Sequence, residues 1–158
     1  SVLYWHIQVH GVTHSMSKNV EYINPAGLRL DGRRPREHRR VVVELGTFPQ
    51  VDGSCTLTVG GTKVVARVTG PKELGHRSDG TVEGARISVE AAIPAFAGER
   101  RRPGRKAKQS AELAQMVLDT AQSLVHTTQY PSSCIHILVD VVQHDGGERA
   151  AAINAACL

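Results

Sequence analysis

Hydrophobic and polar residues alternate most regularly towards the end of the sequence. Ile135, Ile137, Val139 and Val141 take every second position, with Cys134, His136, Leu138, Asp140 and Val142 between them. This is the period of a strand with at least one buried face. Gly146 and Gly147 break the run. From Arg149 the text becomes AAAINAACL, small and helix-permissive, with Ile153, Cys157 and Leu158 spaced to face a core. Earlier in the chain, Val41 to Phe48 reads as a strand ended by Pro49 and the Asp52-Gly53 turn. Ser54 to Val59 is a second strand, Gly60-Gly61 a tight hairpin turn, and Thr62 to Thr69 a third strand that Gly70-Pro71 stops. A polar loop runs to about Gly84, and Ala85 to Ile93 forms a fourth strand. From about Ser110 to Gln129 the period lengthens to near 3.6. Leu113, Val117, Ala121, Leu124 and Val125 make one apolar stripe there, as on a helix lying against a sheet, and Pro131 closes it. The order is four strands, a long helix, a strand and a helix, an α+β arrangement.

A strand that turns through paired glycines into a helix leaves backbone amides free at the helix start, a place for an anion, and Arg149 in the first turn would strengthen it. The same pattern is common in α/β and α+β domains, and Asp145 before two glycines also suits a plain turn. Both readings stand on these residues alone.

With 158 residues there is room for one domain with a real core, hardly two. Apolar content of 41% and charge of 22% are those of a globular chain, not a disordered one. No run is apolar enough to span a membrane, and no secretory pattern opens the chain. Cys55, Cys134 and Cys157 are odd in number and lack CxxC spacing, so neither a zinc site nor a disulfide framework is expected, and a reducing compartment is the natural home. Residues 1–15 share no pattern with the rest of the chain and read as an extraneous or disordered leader, with Met16 as a natural start. His6, His10 and His14 within it are spaced by four, but Val9, Gly11, Val12 and Thr13 argue against the helix that would align them as metal ligands. Residues 16–40 read as an irregular basic arm and 41–158 as the folded domain. The last helix reaches Leu158 with no capping glycine or polar tail, the pattern of the front part of a larger domain.

Placement of charge changes the picture more than its sum, a net +4. Arg29, Arg33, Arg34, Arg36, Arg39 and Arg40 fall in one stretch, and Arg100, Arg101, Arg102, Arg105, Lys106 and Lys108 in another. Against them stand only Asp31, Glu37 and Glu99. Clustered arginine points to a polyanion, because the planar guanidinium grips phosphate in bidentate fashion. A solvated face or a subunit contact is the plainer alternative.

Four short motifs in fixed order make the chain recognisable. They are Asp31-Gly32-Arg33, Asp52-Gly53-Ser54, Gly61-Thr62-Lys63 and Gly70-Pro71-Lys72-Glu73, succeeded by the GERRR loop at Gly98 to Arg102 and the segment QHDGGERAAAINAACL. From about Asn24 to Leu158 the chain resembles the ribonuclease PH family, and within it the exosome ring subunit that carries the phosphorolytic site in archaea. The resemblance implies a ribonuclease PH-like domain of the ribosomal protein S5 domain 2-like type, here its N-terminal portion. It further implies a hexameric ring with other ribonuclease PH-like subunits, single-stranded RNA as partner, and RNA processing and degradation in nucleus, nucleolus and cytoplasm. Active members cleave from the 3′ end with inorganic phosphate as co-substrate, and no other cofactor is implied. Lys72, Arg77, Arg100, Arg101, Arg102 and Lys108 are the residues expected to bind RNA backbone.

Departures from the family pattern bear on activity. In active relatives an Arg in an R-x-x-E pattern at the start of the long helix holds phosphate; counting back from Glu112 puts Gln109 there. The remaining ligands come from a G-[TS]-R triplet, which here reads Gly147-Glu148-Arg149. A carboxylate can only accept hydrogen bonds, where the hydroxyl would donate to phosphate. Gln109, Gly147, Glu148 and Arg149 are therefore expected to be a vestigial phosphate site. The family's general-acid Asp lies further along than Leu158, so no catalytic residue is expected within this stretch. Three functions are open: an RNA-binding ring subunit without phosphorolytic activity, an active phosphate-dependent 3′–5′ exoribonuclease, or a truncated paralogue.

Overall fold

The computed structural model describes residues 22–73, 84–97 and 105–158, with the side chains of 105–107 excepted. The chain forms two compact units, one ending at His38 and the other running from Arg39 to Leu158.

Among the described residues of the first unit the expected irregular arm has no long element, yet hydrogen bonds organise it. Ile23 and Arg29 form a single β-bridge, and Gly27 donates its N–H to the Asn24 carbonyl at 2.7 Å. Arg29 donates to the carbonyl of Pro35. Arg33 pairs through Nε with Asp31 at 2.6 Å and donates from Nη1 to the Glu37 carbonyl at 2.9 Å. Arginine side chains thus satisfy carbonyls that no helix or strand takes up.

The second unit contains β1 (Val41–Leu45), β2 (Gly53–Val59), β3 (Thr62–Glu73), β4 (Arg86–Ala92), α1 (Arg105–Leu124), β5 (Ser133–Gln143) and α2 (Glu148–Cys157). The strands form one sheet in the order β1-β2-β3-β5-β4. Every neighbouring pair is antiparallel except β4 and β5, which run parallel and are joined through α1. A crossover of that length is what a parallel pair needs.

Cys55, Leu57, Val64, Ala66, Ile135, Ile137, Val139 and Val141 are buried on one face of the sheet, under Leu113, Val117 and Ala121 of α1 and Ala151, Ala152 and Ala155 of α2. On the opposite face Arg67 pairs with Asp140 and lies over the Phe48 ring, 5.8 Å from its centroid. Among the described residues β1 has β2 as its one neighbouring strand, and all five of its residues are exposed.

Three expectations need correction. Gly70-Pro71 does not end β3: the ladder to β5 shifts register between Thr69 and Lys72, then resumes with Lys72 opposite Cys134 and Glu73 opposite Ser133. A bulge takes up the residues that cannot pair. Leu124, placed in the apolar stripe of α1, is 58% exposed as the last residue of the helix, at the edge of an apolar cavity it shares with Val68, Ile135 and Ile137. On α2 the fully buried residues are Ala151, Ala152 and Ala155; Ile153 is half-buried and packs against the core as expected, whereas Cys157 and Leu158 are exposed. Small side chains let that helix lie close to the sheet, so the alanines go in and the larger residues stay at the flank.

Candidate functional site

The junction between β5 and α2 is held from two sides. Gly146 and Gly147 both take the left-handed region, at φ +83° and +73°, which a side chain would resist. Thr62, fully buried at the start of β3, donates its hydroxyl to the Gly146 carbonyl at 2.7 Å and accepts the Asp145 N–H at 3.0 Å. Arg39 donates from Nη1 to the carbonyls of Asp145 and Gly146, each at 2.9 Å. Gly61 leaves the space these groups need: a Cβ there would come within 2.9 Å of the Asp145 Cβ and 2.6 Å of its Oδ2. The Gly61-Thr62-Lys63 motif therefore fixes the geometry of a loop more than eighty residues away. Sequence reasoning missed Thr62 and Arg39 as parts of this site. Their only signal was membership of the motif and of the basic arm, since the partners meet through the fold alone.

At the helix start the structure brings together three of the residues expected there. Gln109, Glu148 and Arg149 line one cavity with Ile93 and Leu113, of about 20 Å³. That is room for about one water. Gly147 caps α2 in the left-handed conformation without a side-chain hydrogen bond, and Glu148 is the acidic residue of the first turn. A carboxylate there is favoured by the helix dipole, by about 0.3–1 kcal/mol. Glu148 Oε2 lies 3.2 Å from His144 Nδ1. Arg149 does not turn inward as an unshared cation; its Nη2 lies 3.2 Å from Glu112 Oε2, the acid of the expected R-x-x-E position. Gln109 is half-buried and has a partner of its own.

The other residues expected to bind RNA fall elsewhere. Lys108 is exposed in the first turn of α1, beside the cavity. Lys72 is exposed near the end of β3, opposite Cys134 at the start of β5. Thr62 touches Gly146 and Lys72 comes ten residues further along β3, so at about 3.3 Å per residue Lys72 stands roughly 30 Å from Thr62, at the far end of the strand from the junction. Arg77, Arg100, Arg101 and Arg102 lie outside the described residues, as do His6, His10 and His14. Among the described residues no group of three or more His, Cys, Asp or Glu could hold a metal, and no helix is long and apolar enough to cross a membrane.

Comparison with known proteins agrees with this architecture. The chain is 40% identical over 140 residues to the exosome complex component RRP41 homolog of Arabidopsis thaliana, covering 88% of this chain and 58% of that protein. It is 37% identical over 135 residues to the exosome complex component Rrp41 of Methanopyrus kandleri, covering 85% and 56%. The crystal structure of rice (Oryza sativa) Rrp46 is similar at a TM-score of 0.68 and 29% identity, over 82% of this chain and 58% of that one. An Archaeoglobus fulgidus exosome with RNA bound to the active site matches at a TM-score of 0.69 and 24% identity, over 84% of this chain and 54% of that one, a likeness of fold. The chain thus spans little more than half the length of the relatives it matches. The profile of the 3′ exoribonuclease family, domain 1, matches residues 37–158. That match takes in the whole second unit, its sheet, both helices and the glycine junction, and the chain belongs to the ribonuclease PH family of 3′ exoribonucleases.

Proposed function

We propose that the protein is an RNA-binding subunit of an exosome-type ring, acting in 3′–5′ RNA processing and degradation, and that its own phosphorolytic site is vestigial. The names of its relatives, exosome components in a plant and an archaeon, support the first part. The second part is carried by one observation: the side chains at the start of α2 satisfy one another. Glu148 faces His144, Arg149 faces Glu112, and the remaining space is about 20 Å³. A phosphate entering there would meet the Glu148 carboxylate. Two such charges ~4 Å apart at an effective dielectric near 20 repel by about 4 kcal/mol before screening. At position 109 a neutral amide stands where a guanidinium would give a charge-assisted bond, roughly twice as strong.

The test is release of nucleoside diphosphate from an RNA 3′ end by the full-length protein in its ring, with and without inorganic phosphate. No phosphate-dependent release is expected. Gln109→Arg combined with Glu148→Thr should restore phosphate binding, measured by calorimetry. Robust release by the unmodified protein would instead establish an active phosphate-dependent exoribonuclease with Arg149 and Lys108 as ligands.

A further inference from the structure

The first unit carries a charge excess that its own fold does not use. Between Arg29 and His38 there are four arginines and two acids, Asp31 and Glu37. Two of the arginines are spent on structure. Arg29 closes onto the Pro35 carbonyl, and half-buried Arg33 holds Asp31 and the Glu37 carbonyl. The pairing with Arg33 keeps the Asp31 carboxyl below the usual range, so its charge is matched locally. The Glu37 carboxylate turns Oε2 to the backbone N–H of Arg34 at 3.0 Å. Arg34 and Arg36 remain. Both are exposed, and with Glu37 they line a shallow, open depression of the surface. No hydrogen bond or ion pair of either guanidinium is found among the described residues.

We infer that Arg34 and Arg36 form a phosphate-binding surface, which takes the backbone of single-stranded RNA in its own right. The inference rests on the RNA-binding reading above and adds a site to it. The chemistry that selects the ligand is the residue type: two planar guanidinium forks, two positions apart, suit successive phosphate oxygens. Arg33, bonded to Asp31 and to the Glu37 carbonyl, closes the turn that carries both forks.

The experiment is a salt titration of single-stranded RNA binding by the full chain, read by fluorescence anisotropy, for three variants and the parent. Removing one arginine–phosphate pair should reduce the slope of log K against log salt by about 0.7. Arg34→Gln with Arg36→Gln should therefore flatten it by about 1.4, so that between 50 and 200 mM salt the parent loses about sevenfold more affinity than the variant. The melting temperature should not move, because neither guanidinium holds the fold. Arg34→Lys with Arg36→Lys keeps the charges and should keep most of the slope. A slope unchanged in the glutamine pair overturns the inference, as does a lysine pair that behaves like the glutamine pair. If the glutamine pair is unaffected while Arg100, Arg101 and Arg102→Gln flattens the slope, the arm site falls and RNA binding stands. A parent that binds no RNA overturns both.

Discussion

Thr62 shows how much one buried hydroxyl can organise. It is fully enclosed and serves two backbone groups of the glycine junction at once. Valine has nearly the same shape and no hydroxyl. Thr62→Val leaves the Gly146 carbonyl with Arg39 as donor, but it strands the Asp145 N–H, at a cost of about 1–3 kcal/mol. Urea unfolding should read that loss, and Thr62→Ser should recover most of it. A valine variant as stable as the parent would show that the junction does not depend on this contact. Asp31 gives a second test. Its pKa is lowered, chiefly by the hydrogen bond from Arg33. A depressed carboxylate contributes to stability above its unfolded pKa, and that contribution is lost as pH falls through the lower folded value. The ordering of the arm by Asp31 should therefore persist at neutral pH and fade only below about pH 4. Carboxyl carbon shifts followed by NMR should put its midpoint below that of an ordinary aspartate, and Arg33→Gln should move it back up. Asp31 and Arg33 stand two residues apart in one motif, whereas the partners of Thr62 are not visible in the linear text, because Thr62 and Gly146 are joined only when β3 and β5 pair.

The elements themselves were largely legible, since alternation over β2, β3 and β5 and the 3.6 period over α1 are local properties. What failed was the assignment of faces by residue size. On α2, Cys157 and Leu158 read as core residues beside Ile153, yet only Ile153 packs against the core and the fully buried positions are the alanines. Periodicity marks which residues share a face, and the clearance to the neighbouring layer decides which face goes in. Ala152 is completely enclosed, so Ala152→Leu should overpack that layer and destabilise by about 1–3 kcal/mol. Leu124, at 58% exposure, lies at the other extreme, and Leu124→Gln should stay within about 0.5 kcal/mol of the parent. Thermal and denaturant unfolding of the pair discriminate the observed faces from those the pattern suggested. A tolerated leucine at 152 together with a costly glutamine at 124 would reverse the assignment. The continuation of β3 past Gly70-Pro71 was illegible for a different reason. A proline cannot donate to a ladder, and only the register shift against β5 shows how the strand resumes.

At the scale of the molecule, the sheet separates groups that the sequence invited one to pool. Lys72 and Lys108 both belong to basic, polar stretches, and both were expected to bind RNA backbone. Lys72 pairs opposite Cys134 at the start of β5, roughly 30 Å along β3 from Thr62 and the α2 junction at about 3.3 Å of rise per residue, whereas Lys108 lies on α1 next to Gln109, which lines the cavity at that junction. Groups so far apart with no shared partner should act independently. Each of Lys72→Gln and Lys108→Gln should reduce the salt slope of single-stranded RNA binding by about 0.7. In the double variant the losses of binding free energy should add within about 0.3–0.5 kcal/mol. Shortening the RNA adds a second reading, because an oligonucleotide too short to span both ends can feel only one of the substitutions at a time. A coupling above about 1 kcal/mol in the double variant, or equal sensitivity of a dinucleotide to both changes, would mean that the two lysines meet the same phosphate. The separation along the sheet would then not describe how RNA crosses the protein.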